Sequence, residues 1–361
     1  MDKKKILVIF GGVTTEYNVS LQSASAILKN MDREKYEPLM LGISRAGEWL
    51  YYEGPISAIE EDRWQKEPAC CRACLSPERS EKELVLLKKG NYETLPIDAV
   101  FPVLHGKNGE DGTMQGLIQM AGIPLIGCKL VSSAVCMDKD LAHALAYRAG
   151  IQVPRSFIIE KKGDVSRAKA EAWALGYPLY VKPIAGGSSY GITKVKSKKD
   201  FWPAVEEAFR YDDRVLVEEN IDGFEVGCSV MGDPADEHPL ITGVIDEIET
   251  EDGFFDFDEK YYRRNSAIHV PARIPGETKE KIKETALAIY RALGCSGFAR
   301  VDMFLTPEGH VVFNEVNTIP GFTAKSRFPA MLTAAGLSFT DIISAAIDIS
   351  LGGKPKEEVI M

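Results

Sequence analysis

FARVDMFLTPEGHVVFNEVN (residues 298–317) is the stretch that decides the fold. Two apolar runs flank a segment in which Pro307 and Gly309 suit a tight turn, so the sequence predicts an antiparallel β-hairpin. Side chains alternate between the two faces of a strand. Folding this hairpin therefore brings Asp302 close to Glu315, and the pair is the first indication of a functional site.

The same alternation sorts the side chains of the hairpin by face. The faces that carry the acids are expected to hold Phe298, Arg300, Asp302 and Phe304 on the first strand, and Val311, Phe313, Glu315 and Asn317 on the second. Two neighbouring carboxylates do not both stay ionised without a cation, because like charges disfavour the ionised form. Oxygen ligands predict Mg²⁺ bound by Asp302, Glu315 and Asn317. The alternative is an exposed hairpin whose acids are solvated.

A second stretch, YVKPIAGGSSYGITKV (residues 180–195), predicts a strand that carries Lys182 and then a loop rich in glycine and serine. Such a loop offers backbone N–H groups to phosphates, and Lys182 adds a positive charge. The order of residues found in a P-loop is absent, so an ordinary turn is the alternative. Lys139 in MDKD is a second candidate phosphate ligand, with a solvated lysine as its alternative.

A third stretch, VLVEENIDGFEVG (residues 215–227), places acids at the end of one strand and the start of the next. Glu218 and Glu219 close the first strand, and Glu225 begins the second. Backbone groups in such a connection can bind an adenine edge, and a carboxylate can bind ribose hydroxyls. The alternative is a set of surface acids.

Strands and helices alternate up to about residue 138, which is typical of a doubly wound α/β domain. KILVIFGG (residues 5–12) is typical of a buried parallel strand, and a helix capped by Ser20 is expected to follow. Residues 52–95 are polar and irregular, and we interpret them as an inserted loop. The loop holds three cysteines, which we interpret as exposed rather than zinc-binding: Cys70, Cys71 and Cys74.

Two loops of this first domain are predicted to line one crevice. GGVTTEYNVS carries Glu16, a candidate for binding a substrate ammonium, and LHGKNGEDGT carries His105 and Glu110. In open α/β sheets, ligands bind at the carboxyl ends of the strands. Gly11 and Gly12 leave a dinucleotide site as an alternative, although the rest of that motif is missing.

The bulk composition restricts the class of protein. The chain has 361 residues, which predicts two or three domains, and its net charge of −10 disfavours a nucleic-acid partner. The sequence has no apolar run of transmembrane length and no signal-peptide core, so we expect a cytoplasmic protein with no membrane partner. Seven cysteines, an odd number, disfavour a disulfide framework.

These motifs resemble, in order and over nearly the whole chain, the D-alanine–D-alanine ligases of the ATP-grasp superfamily. The matching stretches are GGVTTEYNVS, LHGKNGEDGT, MDK, YVKP, GSSYG, VEE, GFEVG, FDFDEKY, GFARVDMF and NEVNTIPGFT. The resemblance implies an N-terminal Rossmann-like substrate domain (residues 1–138), followed by a two-part ATP-grasp fold (residues 139–226 and 227–361). It also implies a homodimer that uses ATP and two Mg²⁺ ions, with Mn²⁺ as a possible substitute.

The resemblance further implies a role for each candidate residue. The catalytic residues would be Glu16, Ser188, Tyr261, Arg300 and Gly321. The residues that bind the amino acid substrates would be His105, Glu110, Phe255, Ser326 and Arg327. The residues that bind ATP would be Lys139, Lys182, Ser188, Ser189, Glu218, Glu219, Ile221, Glu225 and Lys260. The metal ligands would be Asp302, Glu315 and Asn317.

The implied reaction joins two small amino acids. ATP would phosphorylate D-alanine to an acyl phosphate, and the amine of the second substrate would displace phosphate. Glu16 would hold the ammonium of the first substrate, while Arg300 and the backbone N–H of Gly321 would stabilise the tetrahedral intermediate. An acyl phosphate hydrolyses readily, so we expect the segment TEDGFFDFDEKYYRRNS to close over the site, locked by Tyr261.

Two positions depart from the usual pattern of the family. Arg327 replaces a leucine and Phe255 replaces a tyrosine, a combination that resembles the D-alanine–D-serine ligases of vancomycin resistance. The D-lactate branch lacks the tyrosine of the EKY motif, which is Tyr261 here. We therefore expect D-serine as second substrate. The alternatives are that Arg327 faces solvent in a housekeeping D-alanine–D-alanine ligase, or that a nucleotide-binding regulator has lost catalysis.

Overall fold

The computed structural model describes residues 3–353 apart from 67, 69, 187–190, 237 and 251–265. It has three β-sheets with helices packed against them, which confirms the predicted mixture of α/β and α+β architecture. The helices are α1 (Tyr17–Asn30), α2 (Ile56–Glu60), α3 (Thr113–Met120), α4 (Leu130–Met137), α5 (Lys139–Arg148), α6 (Val165–Leu175), α7 (Lys198–Ala208), α8 (Gly276–Ala292), α9 (Arg327–Ala334) and α10 (Phe339–Ser350), with a short 3₁₀ helix at Trp64–Lys66.

The first sheet has the strand order β6-β5-β4-β3-β2-β1-β7. Its strands are β1 (Lys4–Gly11), β2 (Tyr36–Ile43), β3 (Trp49–Tyr52), β4 (Cys70–Leu75), β5 (Glu83–Lys88), β6 (Asn91–Pro96) and β7 (Ala99–Val103). Only the pairs that β1 makes with β2 and β7 are parallel. Alternate residues of β1 pack with α1 on one face and with α3 on the other, so this centre of the sheet is buried on both sides.

The interpretation of residues 52–95 as an irregular insertion is wrong. Its second part, from residue 70 onward, contains β4, β5 and β6, which extend the sheet in an antiparallel meander. The cysteine cluster therefore lies in a strand, where Cys71 and Cys74 point to opposite faces because side chains alternate. Outer strands expose half of their side chains to water, and this is why the segment has the polar composition of a loop.

The N-terminus of α1 also differs from the prediction. The helix begins at Tyr17, so Ser20 lies inside its first turn and does not cap it. The Ser20 hydroxyl instead accepts a hydrogen bond from the Gly11 amide (2.7 Å) and donates to the Val103 carbonyl. Ser20 therefore joins the ends of β1 and β7 and sets the loops that follow these strands side by side.

The second sheet has the antiparallel order β10-β9-β11-β8. Its strands are β8 (Ser156–Glu160), β9 (Leu179–Pro183), β10 (Thr193–Val195) and β11 (Arg214–Glu219). One face, with Val181 and Val217, packs against α6 and α7. The alternate residues Lys182 and Glu218 consequently point to the other face, away from these helices.

The third sheet has the order β15-β14-β12-β16-β17, with β13 paired to β12. Its strands are β12 (Phe224–Gly232), β13 (Ile241–Thr242), β14 (Asp246–Thr250), β15 (Ser266–His269), β16 (Gly297–Leu305) and β17 (Val311–Asn317). One face packs against α5 and α8, and part of the other packs against α9 and α10. The predicted boundary at residue 226 lies inside β12.

The predicted hairpin is confirmed as β16 and β17, and Asp302 lies opposite Glu315. The predicted faces are wrong for Val311 and Phe313, because the register shifts between Asp302 and Met303 and leaves Asn314 outside the ladder. This β-bulge turns Val311 and Phe313 into the apolar core beside α8. Of the four residues predicted for this face of the second strand, Glu315 and Asn317 share a face with Asp302.

No single helix in the described part of the chain is long and apolar enough to span a membrane. Together α9 and α10 have the required length and composition, with a bend of 104° between them. Their apolar side chains, such as Phe328, Leu332 and Ile343, are buried in a cluster shared with β1 and α1.

Candidate active site

A cavity of about 580 Å³ lies between the second and third sheets, and we call it the inter-sheet cavity. Strands β9 and β11 form one wall, and β12, β14, β16 and β17 form the other. Ten of the sequence-predicted residues line it: Lys139, Lys182, Glu218, Glu219, Ile221, Glu225, Arg300, Asp302, Glu315 and Arg327. The structure thus brings the predicted phosphate, adenosine and metal residues together, although they come from four separate parts of the chain, at residues 139, 182, 218–225 and 302–315.

The two candidate phosphate ligands are buried lysines with anionic or carbonyl partners. The Lys182 ammonium lies 2.5 Å from Glu218 Oε2. Lys139 begins α5, donates to the Gly186 carbonyl at 2.7 Å and lies 3.8 Å from Glu315 Oε2. Such partners offset the cost of burying an ammonium group, so both side chains are fixed on the wall of the cavity.

The acids at the end of β11 have different partners. Burial alone would raise the pKa of Glu218, but Lys182 and His143 outweigh it and hold this pKa below its usual range. Glu218 is therefore an ionised carboxylate inside the protein. Glu219 accepts hydrogen bonds from the backbone (2.8 Å) and the guanidinium (2.7 Å) of Arg155.

Asp302 on β16 is surrounded by donors. Arg300 donates to both of its oxygens, at 2.8 Å from Nε to Oδ1 and 2.7 Å from Nη2 to Oδ2. The amide nitrogen of Asn317 donates to Oδ2 at 2.9 Å. Burial alone would lower the pKa of Arg300, but the negative charge of Asp302 outweighs it and raises this pKa. The hairpin therefore presents a fixed guanidinium beside its carboxylate pair.

Arg327 is buried at the start of α9, with 7% of its surface exposed, so the alternative that it faces solvent is wrong. Its guanidinium donates to both oxygens of Asp246 (2.7 and 2.9 Å) and to Glu225 Oε1 (2.6 Å). Its Nη2 also lies 3.4 Å from Asp302 Oδ1. Burial alone would lower the pKa of Arg327, but these three carboxylates hold it well above its ordinary value.

Gly227 on β12 makes room for this cluster. A Cβ atom at this position would lie 2.5 Å from Arg327 Nη2 and 2.6 Å from Asp246 Oδ1. Any other residue would displace the guanidinium or its main partner. The position of Arg327 is therefore fixed by the backbone of β12 as well as by charge.

The residues at the open end of the hairpin fit a Mg²⁺ ion in their chemistry. Asp302 and Glu315 are opposite each other, and Asn317 adds a third oxygen-bearing side chain. In the described ranges, no three His, Cys, Asp or Glu side chains form a complete metal site. Mg²⁺ is usually bound by one or two carboxylates together with phosphates of the substrate, so an incomplete protein site is suited to a nucleotide-bound ion.

The remaining described candidates meet where the loops at residues 11–16, 104–110 and 317–326 come together, which we call the loop junction. Glu110 accepts hydrogen bonds from the Gly106 amide (2.8 Å) and the Ile319 amide (3.0 Å). A Cβ atom at Gly106 would lie 2.6 Å from Glu16 Oε2, so Glu16 reaches the same loop. The two N-terminal loops therefore lie side by side.

His105 connects the N-terminal loops to the segment after β17. Its Nδ1 lies 2.8 Å from the Ile319 carbonyl, which only accepts, so Nδ1 carries the proton. Its Nε2 lies 3.3 Å from the hydroxyl of Ser23, which also accepts from the Phe322 amide at 3.1 Å. Ser23 and His105 thus order the backbone on either side of Gly321.

Ser326 lies at the C-terminal end of this loop, directly before α9. Its hydroxyl accepts from the Thr323 amide at 3.1 Å and lies 2.9 Å from the Thr323 hydroxyl. Ser326 therefore closes the loop that contains Gly321, and Arg327 follows it into the inter-sheet cavity. The loop junction and the inter-sheet cavity are adjacent along this segment.

Five predicted residues lie outside the described ranges, and three residues of the site were not predicted from the sequence. Outside the described ranges are Ser188, Ser189, Phe255, Lys260 and Tyr261. The missed residues are Asp246, Ser23 and His143. Asp246 had a signal in the sequence, because it follows an apolar run as Glu315 does, but nothing in the sequence indicated that Arg327 is its partner.

Two family models match the chain. The model described as the D-ala D-ala ligase N-terminus matches residues 5–128, and the model described as the D-ala D-ala ligase C-terminus matches residues 145–348. The first match covers the first sheet. The second match covers both sheets that border the inter-sheet cavity.

Individual relatives match along almost their whole length. The vancomycin B-type resistance protein VanB of Enterococcus faecalis is 44% identical, with 97% of this chain and 99% of the relative covered. A D-alanine–D-alanine ligase of Caldicellulosiruptor bescii is 41% identical, with 97% and 96% covered. The crystal structure of the VanG D-Ala:D-Ser ligase from Enterococcus faecalis is 50% identical, covers 97% of this chain and 100% of its own, and has a TM-score of 0.89.

Proposed function

Because the chain belongs to the D-alanine–D-alanine ligase family of ATP-dependent, dipeptide-forming enzymes, we propose that it joins D-alanine to D-serine for a peptidoglycan precursor. Such a precursor would confer vancomycin resistance, a role that the names of relatives support. The observation that carries the choice of D-serine is the buried guanidinium of Arg327, which stands where the usual family pattern has a leucine. The 50% identity with a D-Ala:D-Ser ligase supports the same choice.

In the first half of the reaction, we propose that the inter-sheet cavity binds ATP. Lys139 and Lys182 would exchange their present partners for phosphate oxygens, and the segment from Glu218 to Glu225, which includes Glu219 and Ile221, would border adenosine. A polyanion in a cavity lined by so many acids needs cations close to its phosphates. The proposed roles of Ser188, Ser189 and Lys260 rest on the resemblance alone.

We propose that Asp302, Glu315 and Asn317 hold divalent metal ions, two Mg²⁺ in number, with the help of the phosphates. Bound there, the metal would neutralise the charge that develops during phosphoryl transfer. Arg300 keeps Asp302 oriented from the protein side, with bonds to both carboxylate oxygens. The fit of oxygen donors at the open end of the hairpin supports this assignment.

We propose that the loop junction holds D-alanine in both halves of the reaction. Glu16 would bind its ammonium and His105 would lie near its carboxylate, while Glu110 keeps the two loops in place through backbone amides. The Gly321 amide and Arg300 would donate to the oxyanion as the second substrate attacks. The proposed closing roles of Tyr261 and Ser188 rest on the resemblance alone.

The choice of the second substrate is proposed to depend on Arg327, with Ser326 binding the carboxylate. A guanidinium has five N–H groups, and Asp246 and Glu225 use three of those of Arg327. A remaining N–H can donate to the D-serine hydroxyl, whereas a leucine would leave that hydroxyl unpaired at a cost of about 1–3 kcal/mol. Asp246 fixes the orientation of the donor in advance. The packing of Phe255 beside the substrate rests on the resemblance alone.

The test is product analysis with the purified enzyme, MgATP, D-alanine and D-serine. We expect ADP and phosphate release with D-alanine alone to increase when D-serine is added near neutral pH, and D-alanyl-D-serine to be the main dipeptide. If D-serine is neither incorporated nor inhibitory, the chain is a housekeeping D-alanine–D-alanine ligase. If no D-amino acid supports ADP formation, catalysis itself is excluded.

Two features of the organisation are also proposals. We propose that the three sheets mark three domains, with boundaries near residue 138 and in the connection between β11 and β12 at residues 220–223. We also propose a homodimer that works in the cytoplasm, a proposal that rests on the resemblance. Sedimentation equilibrium of the purified protein tests the dimer.

A further inference from the structure

His143 is a buried side chain that contacts two residues lining the inter-sheet cavity, Glu218 and Asn314, and the proposed reaction gives it no role. It lies on α5, one helical turn after Lys139, so both side chains are on the same face of the helix. Only 4% of its surface is exposed. The imidazole packs edge-on against the ring of Phe313, with 5.3 Å between ring centroids and an interplanar angle of 70°.

One nitrogen of His143 binds the β-bulge of the catalytic hairpin. The bulge leaves Asn314 outside the ladder between β16 and β17, so its backbone carbonyl needs another donor. His143 Nε2 lies 2.8 Å from this carbonyl and must carry the proton, because a carbonyl only accepts. The contact fixes the backbone directly before Glu315.

The other nitrogen faces the end of β11. His143 Nδ1 lies 3.5 Å from Glu218 Oε1, and in the part of the chain that the structure describes neither atom has a hydrogen-bond partner. The second oxygen of Glu218 holds the Lys182 ammonium at 2.5 Å. His143 Nδ1 therefore lies against the carboxylate that holds a proposed phosphate ligand.

We infer that His143 is a positioning residue that couples the two walls of the inter-sheet cavity. It orients Glu218, and through it Lys182, on the second sheet, and it fixes the backbone beside Glu315 on the third sheet. The inference rests on the proposed roles of Lys182 and Glu315. It adds a residue that touches neither substrate nor metal and that sets the distance between nucleotide and metal ligands.

Two substitutions separate the two contacts of His143. His143→Gln can keep a donor near the position of Nε2 and loses the atom at Nδ1, whereas His143→Asn can keep a polar atom near Nδ1 and loses the donor at Nε2. We expect His143→Gln to weaken ADP binding in saturating Mg²⁺ about tenfold by calorimetry, with the Mg²⁺ activation constant unchanged. We expect His143→Asn to raise the Mg²⁺ activation constant about tenfold, with a smaller effect on ADP binding.

His310→Gln is the matched control, since His310 is exposed in the turn of the hairpin. It should change neither quantity. Thermal unfolding of all variants measures any loss of structure separately from the two constants. Equal losses in both constants for both variants, or no change in either, would overturn the inference. If the unmodified enzyme does not bind ADP or does not need Mg²⁺, the proposed function fails instead.

Discussion

The inter-sheet cavity and the loop junction hold their polar groups in different ways. In the cavity, charged side chains are paired with one another, as in Lys182 with Glu218 and Arg327 with Asp246. At the junction, Glu110 and His105 are bonded mainly to backbone amides and carbonyls. Ion pairs can be exchanged for the charges of a nucleotide and metal, whereas bonds to the backbone fix a shape. The cavity is therefore suited to binding charged ligands, and the junction is suited to aligning a substrate.

Substitution of Arg300 is expected to have the largest effect. The Arg300 side chain carries a charge, as the groups of the cavity do, and it is also a donor in a fixed position, as the groups of the junction are. Arg300→Met should reduce kcat about 10²–10³-fold, as expected for loss of one donor to an oxyanion. The KM for ATP should change much less, since Lys139 and Lys182 remain. Steady-state kinetics with Arg291→Met, an exposed arginine on α8, provide the control. A variant that loses ATP affinity but keeps kcat would contradict the role given to Arg300.

Glu218 tests the paired charges of the cavity through pH. Its pKa is held below its ordinary value of 4.5, so the unfolded chain binds its proton more tightly than the folded protein does. Its stabilising contribution is fully present above pH 4.5 and is lost as the pH falls through the lower folded value. Glu218→Gln should lower the free energy of unfolding by about 3 kcal/mol at pH 7, because it leaves Lys182 without its buried partner.

The difference in the free energy of unfolding between wild type and Glu218→Gln should shrink as the pH falls below 4.5. Urea unfolding at a series of pH values measures it, with Glu284→Gln on the exposed side of α8 as control. A difference between wild type and Glu218→Gln that is constant from pH 7 to pH 3 would show that the charge of Glu218 does not contribute.

Glu110 tests the junction, where a smaller and more selective effect is expected. Glu110→Gln keeps one acceptor but loses the charge that binds the amides of Gly106 and Ile319. The KM for D-alanine should rise about tenfold, as expected for weakening one hydrogen bond to a charged group, while the KM for ATP stays unchanged. Initial rates at saturating ATP measure this, and Glu81→Gln in an exposed turn is the control. Equal changes in both KM values would mean that the two regions are not separable.

Local sequence patterns predicted the hairpin that carries the candidate metal ligands. The alternation of FARVDMFL and the turn residues after it were enough to place Asp302 opposite Glu315. The same alternation failed beyond Asn314, because a bulge depends on how two strands meet and not on either strand alone. The strands between residues 70 and 96 were missed because half of their side chains face water.

Side-chain partners that are distant in sequence could not be predicted either. Arg327 was recognised as unusual from its neighbours in sequence, but Asp246 is 81 residues away and Glu225 is 102 residues away. Such pairs depend on which strands become neighbours in the third sheet. His143 was missed for the same reason: its two contacts, Glu218 and Asn314, belong to different sheets.

The central claim is that the guanidinium of Arg327 selects D-serine, and competition between the two substrates tests it most directly. Wild type and Arg327→Leu are each given equal D-alanine and D-serine with MgATP near neutral pH, and the dipeptides are measured by mass spectrometry. Because Arg327→Leu leaves buried carboxylates unpaired, the double variant Arg327→Leu/Asp246→Asn is measured beside it. We expect D-alanyl-D-serine to dominate for wild type, and the product ratio to shift about tenfold or more toward D-alanyl-D-alanine in both variants. Active variants with an unchanged product ratio would contradict the claim.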